Sequence, residues 1–65
     1  MEKKELEFFL DKKIIVQLVN NFKYTGYIKE LHDESVFFED IYIGMILVPL
    51  SQIRMVRQFS ESELE

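Results

Sequence analysis

The chain contains no cysteine, a single histidine (His32), one proline (Pro49) and two glycines (Gly26 and Gly44). Without cysteine there are no disulfides and no thiolate metal ligands. One histidine cannot build a closed structural zinc site. Small domains draw extra stability from disulfides, metals or partner subunits, so two routes remain: an unusually apolar core, or self-association. A chain of 65 residues buries only about 60 % of the surface its unfolded form exposes. Its 48 % hydrophobic content is high for that size and suits both routes.

Catalytic signatures are also missing. There is no second histidine, no Gly-rich phosphate loop and no paired-ligand motif. Ser35 follows His32 within one turn, and three residues along a turn do not define a triad. The expectation is a non-enzymatic protein without cofactor or metal.

Nothing suggests a signal peptide or a membrane span. The start, Met1 to Leu10, carries Glu2, Lys3, Lys4, Glu5 and Glu7 with no apolar run behind them. The longest uncharged stretch, Ile41 to Ile53, holds Gly44, Pro49, Ser51 and Gln52 and is too short to span. A cytoplasmic chain without membrane contact is expected.

Net charge is −4, from eight Lys/Arg against twelve Asp/Glu. Glu2, Glu61, Glu63 and Glu65 sit at the two ends, and residues 3–60 without them hold eight acids and eight bases. That neutral body is not the basic footprint of a duplex-DNA binder. It leaves room for a small site that stacks single-stranded bases.

The hydrophobic period divides the chain. Leu6, Phe9 and Leu10 share one face at i, i+3, i+4 spacing, which predicts a helix over about residues 2–10. A helix so short is unstable alone and must dock on an apolar surface. From Ile14 the period becomes two, with Ile14, Val16 and Leu18 alternating with Ile15, Gln17 and Val19. Asn20-Asn21 then signals a hairpin, because asparagine tolerates left-handed backbone. The second strand runs from about Phe22 to Leu31, with Phe22, Tyr24, Gly26 and Ile28 on one face. A glycine inside a strand marks a bend or a close backbone approach. His32-Asp33-Glu34 reads as a polar turn, Ser35 to about Tyr42 as a third strand, and Met45 to Val48 as a fourth. Pro49, lacking an N–H, belongs at a strand end. Leu50-Ser51-Gln52 reads as one tight turn, and Ile53 to Arg57 as a fifth strand. Residues 58–65 form a polar, acidic tail. One helix and five closely spaced short strands predict a single mainly β domain over residues 1–57: a strongly bent, five-stranded antiparallel SH3-like small barrel.

This order resembles the Sm-like superfamily (Sm, LSm and bacterial Hfq proteins) over roughly residues 4–57. Lys13-Ile14-Ile15-Val16-Gln17-Leu18-Val19-Asn20-Asn21 is similar to the family's first strand and hairpin. Tyr24-Thr25-Gly26-Tyr27-Ile28 resembles its strand-two glycine segment, and Phe37-Phe38-Glu39-Asp40 its third strand. Ile46 to Val56 occupies the place of the second Sm motif. The resemblance implies a homo-oligomeric ring of six or seven subunits, in which strand four of one copy pairs with strand five of the next. It also implies short single-stranded RNA as ligand.

The family's RNA site combines the turn between strands two and three with a segment before strand five. The first corresponds here to Leu31-His32-Asp33-Glu34-Ser35-Val36 and lacks asparagine. The second, Val48-Pro49-Leu50 or Pro49-Leu50-Ser51, lacks a basic or aromatic residue. The family's uridine pocket is not carried over as such. The candidate RNA-binding residues are then His32 and Asp33 in the turn, Ser51 and Gln52 in the second turn, and Tyr27 with Lys29 on strand two. His32 can stack on a base or line a pore, although a lone histidine in an acidic turn is more often merely solvated. Tyr24, Tyr27 and Tyr42 with Lys23 and Lys29 interleave aromatic and basic groups as a stacking platform would; strand propensity and edge protection explain them as well. Ser51 and Gln52 can hydrogen-bond a base edge or simply form a turn. Two functions stay open: an RNA-binding ring, or a structural adaptor that keeps the ring and binds protein.

Overall fold

The computed structural model of the chain describes residues 2–59. Helix α1 (Lys3–Leu6) tightens into a 3-10 turn at Glu7–Phe9. The helix is therefore shorter than the expected 2–10. With three residues per turn, the 3-10 geometry aligns positions i and i+3, which puts Phe9 above Leu6. Leu6 is buried and Phe9 packs against the core. Leu10 is extended and 41 % exposed, so its expected place on the docking stripe is a miscount of the period. Asp11 takes positive φ (63°), a conformation Asp accepts better than most residues, and redirects the chain into the sheet.

Five strands follow: β1 (Ile14–Leu18), β2 (Lys23–Leu31), β3 (Ser35–Asp40), β4 (Gly44–Pro49) and β5 (Ile53–Gln58). They form one open antiparallel sheet in the order β4-β3-β2-β1-β5. The first four make a meander. A second 3-10 turn (Leu50–Gln52) then carries the chain from one sheet edge to the other. The turn after β1 spans residues 19–22. Asn21 supplies the positive φ (71°) and the Asn20 carboxamide accepts the Phe22 N–H at 3.1 Å. Phe22 is consequently outside the strand and 62 % exposed, not on the inner face with Tyr24, Gly26 and Ile28. β3 ends at Asp40, two residues earlier than expected, and residues 41–43 form the turn to β4. Gln58 closes β5, and the Phe59 N–H donates to the Lys13 carbonyl at 2.8 Å, so the tail starts no earlier than residue 60. The rest of the expected tail, residues 60–65, lies outside the described residues.

Two features of β2 bend the sheet. Gly26 faces Ile14 on one side and Asp40 on the other. A Cβ there would overlap the Glu39 carbonyl oxygen, so the position requires glycine for space. Three residues on, the β2–β3 register shifts between Ile28 and Glu30, leaving Lys29 as the extra residue of a bulge. Bulges bend their strand and sharpen its twist. The curvature lets residues from every strand meet in one cluster: Leu6, Ile14, Val16, Ile28, Val36, Phe38, Val48, Leu50 and Ile53. Period-two alternation places Val36 and Phe38 inside and half-buried Phe37 on the other face. Among the described residues, no helix is long and apolar enough to cross a membrane.

Candidate functional site

The turn after β2, the β4–β5 connection and the N-terminal helix gather at one end of the sheet. Their meeting is fixed by backbone: the Leu50 N–H donates to the Glu34 carbonyl at 2.9 Å, and buried Leu50 anchors the connection in the core. Between them lies a cleft of about 630 Å³, lined by Glu2 and Lys3, by Asp33 and Glu34, and by Pro49, Leu50 and Ser51. The Lys3 ammonium crosses the cleft to the Asp33 carboxylate at 3.1 Å. Asp33 is almost fully exposed, so this ion pair orders the rim weakly.

Of the six candidate residues, only Asp33 and Ser51 share this cleft. His32 turns away from it. Its Nε2 lies 3.1 Å from the Glu30 carboxylate, and its ring meets Phe37 edge-on at 5.6 Å. Gln52 is exposed, and its carbonyl accepts the Val19 N–H at 2.9 Å, which ties the connection to the first hairpin. Tyr27 and Lys29 lie on β2. Tyr27 is 39 % exposed, and Lys29 pairs at 3.2 Å with Glu39 of the adjacent strand.

The expected site thus divides among separate surfaces. Glu34 and Pro49, from the same two segments, also line the cleft, together with Glu2 and Lys3, which reading single turns in sequence could not find. The helix meets the β2–β3 turn only through the tertiary fold. Three carboxylates (Glu2, Asp33 and Glu34) against one ammonium give the cleft an acidic character, which repels phosphate.

The sheet also presents apolar groups. Ile41, Tyr42 and Ile43 in the β3–β4 turn are 46, 86 and 62 % exposed, and Met45 and Leu47 on β4 are 53 and 57 %. The turn is held rigidly. The buried Asp40 carboxylate accepts the N–H groups of Tyr42 (2.8 Å), Ile43 (3.0 Å) and Thr25 (3.1 Å). Asp40 is the only buried charged residue among those described, and its oxygens are spent on backbone. No buried side-chain nitrogen or oxygen among the described residues lacks a partner, and none of their His, Asp and Glu cluster as a metal site would. No family model matches the chain, and neither does any curated protein or solved structure.

Proposed function

We propose that this chain is a non-catalytic, self-associating binding module of the Sm-like kind: a small bent barrel whose copies join head to tail into a homo-oligomeric ring. The observation that carries this reading is the strand order β4-β3-β2-β1-β5, which leaves β4 and β5 as two different open edges of one sheet. An unpaired edge is a template for another strand, and heterologous pairing of two unlike edges closes into a ring when the rotation between copies allows. Six or seven copies is the number the family resemblance implies.

Within such a ring, the acidic cleft favours the adaptor reading, in which the ligand is a protein. The RNA reading remains the second. It rests on the exposed ring of Tyr27 near Lys29, and on the Ser51 hydroxyl and Asp33 carboxylate sharing one cleft. The experiment measures mass in solution by light scattering, then titrates labelled oligo-U and oligo-A at two salt concentrations. Assembly without binding to either oligonucleotide is the expected result. Assembly with salt-dependent, micromolar or tighter binding would replace the adaptor with the RNA-binding ring. A strict monomer at high concentration would overturn both.

A further inference from the structure

We propose that the tip of the β1–β2 hairpin is a contact site for an anionic lipid surface, entered by Val19 and Phe22 and flanked by Lys23 and Arg54. The absence of a span led to the expectation of no membrane contact, but a peripheral contact requires only a few side chains at the surface. The site belongs to the single chain and does not depend on assembly.

Its charge follows from the sequence. Residues 12–29 and 41–60 contain no Asp or Glu and hold six of the eight basic residues. All of β1 and β5, and β2 as far as Lys29, come from these two stretches. Residues 19–23, which join β1 to β2, are all exposed. The start of β5 lies beside them. The Val19 N–H donates to the Gln52 carbonyl at 2.9 Å, and the Arg54 guanidinium donates to the Asn21 carboxamide oxygen at 3.3 Å. Val19, Phe22 and Met55 are 53, 62 and 45 % exposed. Neither Lys23 nor Arg54 forms an ion pair among the described residues. The nearest part of the acidic cleft is separated by the Leu50–Gln52 turn, since Leu50 bonds Glu34 while Gln52 bonds Val19.

The backbone selects the partner. The Leu18 N–H donates to the Phe22 carbonyl at 2.8 Å, the Asn21 N–H to the Leu18 carbonyl at 2.9 Å, and the Phe22 N–H to the Asn20 carboxamide at 3.1 Å. A peptide strand adds through free main-chain groups, and the amides of this turn are spent. A lipid interface makes the opposite demand. An unpaired amide carried toward hydrocarbon is costly, and these amides bring their acceptors with them. The same asparagine turn takes Phe22 out of β2 and leaves its ring in solvent. At a bilayer, Phe22 and Val19 bury apolar area among the headgroups, while the Lys23 and Arg54 charges stay level with the lipid phosphates. Of the three apolar groups only Phe22 can stack on a base. Val19 and Met55 suit acyl chains, which favours lipid over single-stranded nucleic acid.

The test is co-sedimentation with vesicles of phosphatidylcholine alone and of phosphatidylcholine with about one-third phosphatidylserine. Wild type is expected to bind the anionic vesicles about tenfold or more better, each of the two cations contributing about fivefold, and to lose that preference at high salt. Phe22→Ser is expected to keep the wild-type circular dichroism spectrum and to bind about tenfold more weakly. Tyr42→Ser, at a more exposed apolar residue on another turn, is expected to bind as wild type does. The chain has no tryptophan, so Phe22→Trp reports insertion directly: its emission is expected to shift to the blue on anionic vesicles and to be quenched by brominated acyl chains. An unshifted and unquenched Trp, equal binding to the two vesicles, or undiminished binding by Phe22→Ser would overturn the proposal. Displacement of the protein from vesicles by oligo-U would overturn it too, and would assign the tip to nucleic acid. Light scattering before lipid is added reads assembly separately, so a monomeric result sinks the ring and leaves this test standing.

Discussion

Replacing Asp40 tests how the β3–β4 turn is held. The side chain is 5 % exposed and receives three backbone N–H groups, Thr25 on Oδ1 and both Tyr42 and Ile43 on Oδ2. In Asp40→Ala all three part-buried amides lose their acceptor; those of Tyr42 and Ile43, in a turn of exposed residues, are better placed to find water than the Thr25 amide inside β2. Hydrogen bonds to a charged group contribute about 1.5–3 kcal/mol each, and a stranded buried donor costs about 1–3 kcal/mol. Allowing for solvent at two of the three, the loss is about 3–4 kcal/mol. Asp40→Asn keeps one carbonyl oxygen but turns an NH₂ toward donors on the other side, so about half of that loss is expected. A domain of this size loses roughly 4–8 °C of Tm per kcal/mol, which places the Ala variant on the order of 20 °C below wild type. The assay is urea and thermal unfolding at one fixed protein concentration, because association shifts apparent stability. A loss below about 1 kcal/mol in Asp40→Ala, or an Asn variant no better than Ala, would refute the three-amide account.

Three further substitutions separate space, burial and backbone. Gly26→Ala should cost about 3 kcal/mol or more in denaturant unfolding, because its Cβ meets the Glu39 carbonyl, which belongs to backbone. Phe38→Ala should cost about 3–5 kcal/mol, as its side chain is 1 % exposed at the centre of the core; an equal loss in Tyr42→Ala would contradict that ranking. Gly44→Ala should cost about 1 kcal/mol by the same measurement. Nothing lies within 4 Å of an added Cβ there, so only the strain at φ of +85° acts.

The strands were legible because their signals are local. Alternation fixes the inner faces of β1 and β3, Gly26 marks the bend, and Pro49 marks a strand end. The errors have local causes too. Phe22 fits the period of β2, but the asparagine turn claims its backbone first. Leu10 fits a 3.6-residue period that the chain abandons for a 3-10 turn. The site was harder to read because it depends on distance relations. Lys3 and Asp33 are thirty positions apart and meet only once α1 docks. His32 and Asp33 are adjacent in sequence yet serve different surfaces: the histidine packs against Phe37 while the carboxylate meets Lys3.

The uncharged stretch from Ile41 to Ile53 connects these lessons. In sequence it excludes a membrane span and otherwise looks like core. In the fold, Val48, Leu50 and Ile53 enter the core, while Ile41, Tyr42, Ile43, Met45 and Leu47 stay outside. Among the described residues eleven large hydrophobics are exposed against nine hydrophobics buried. For a core this limited and without cysteine, association is one further source of stability. An uncharged open strand is the element that aggregates unless it is paired. Its exposed side chains alternate with inward ones. Strand pairing to another copy would satisfy its open hydrogen bonds, which makes assembly, more than any one turn residue, the property to measure first.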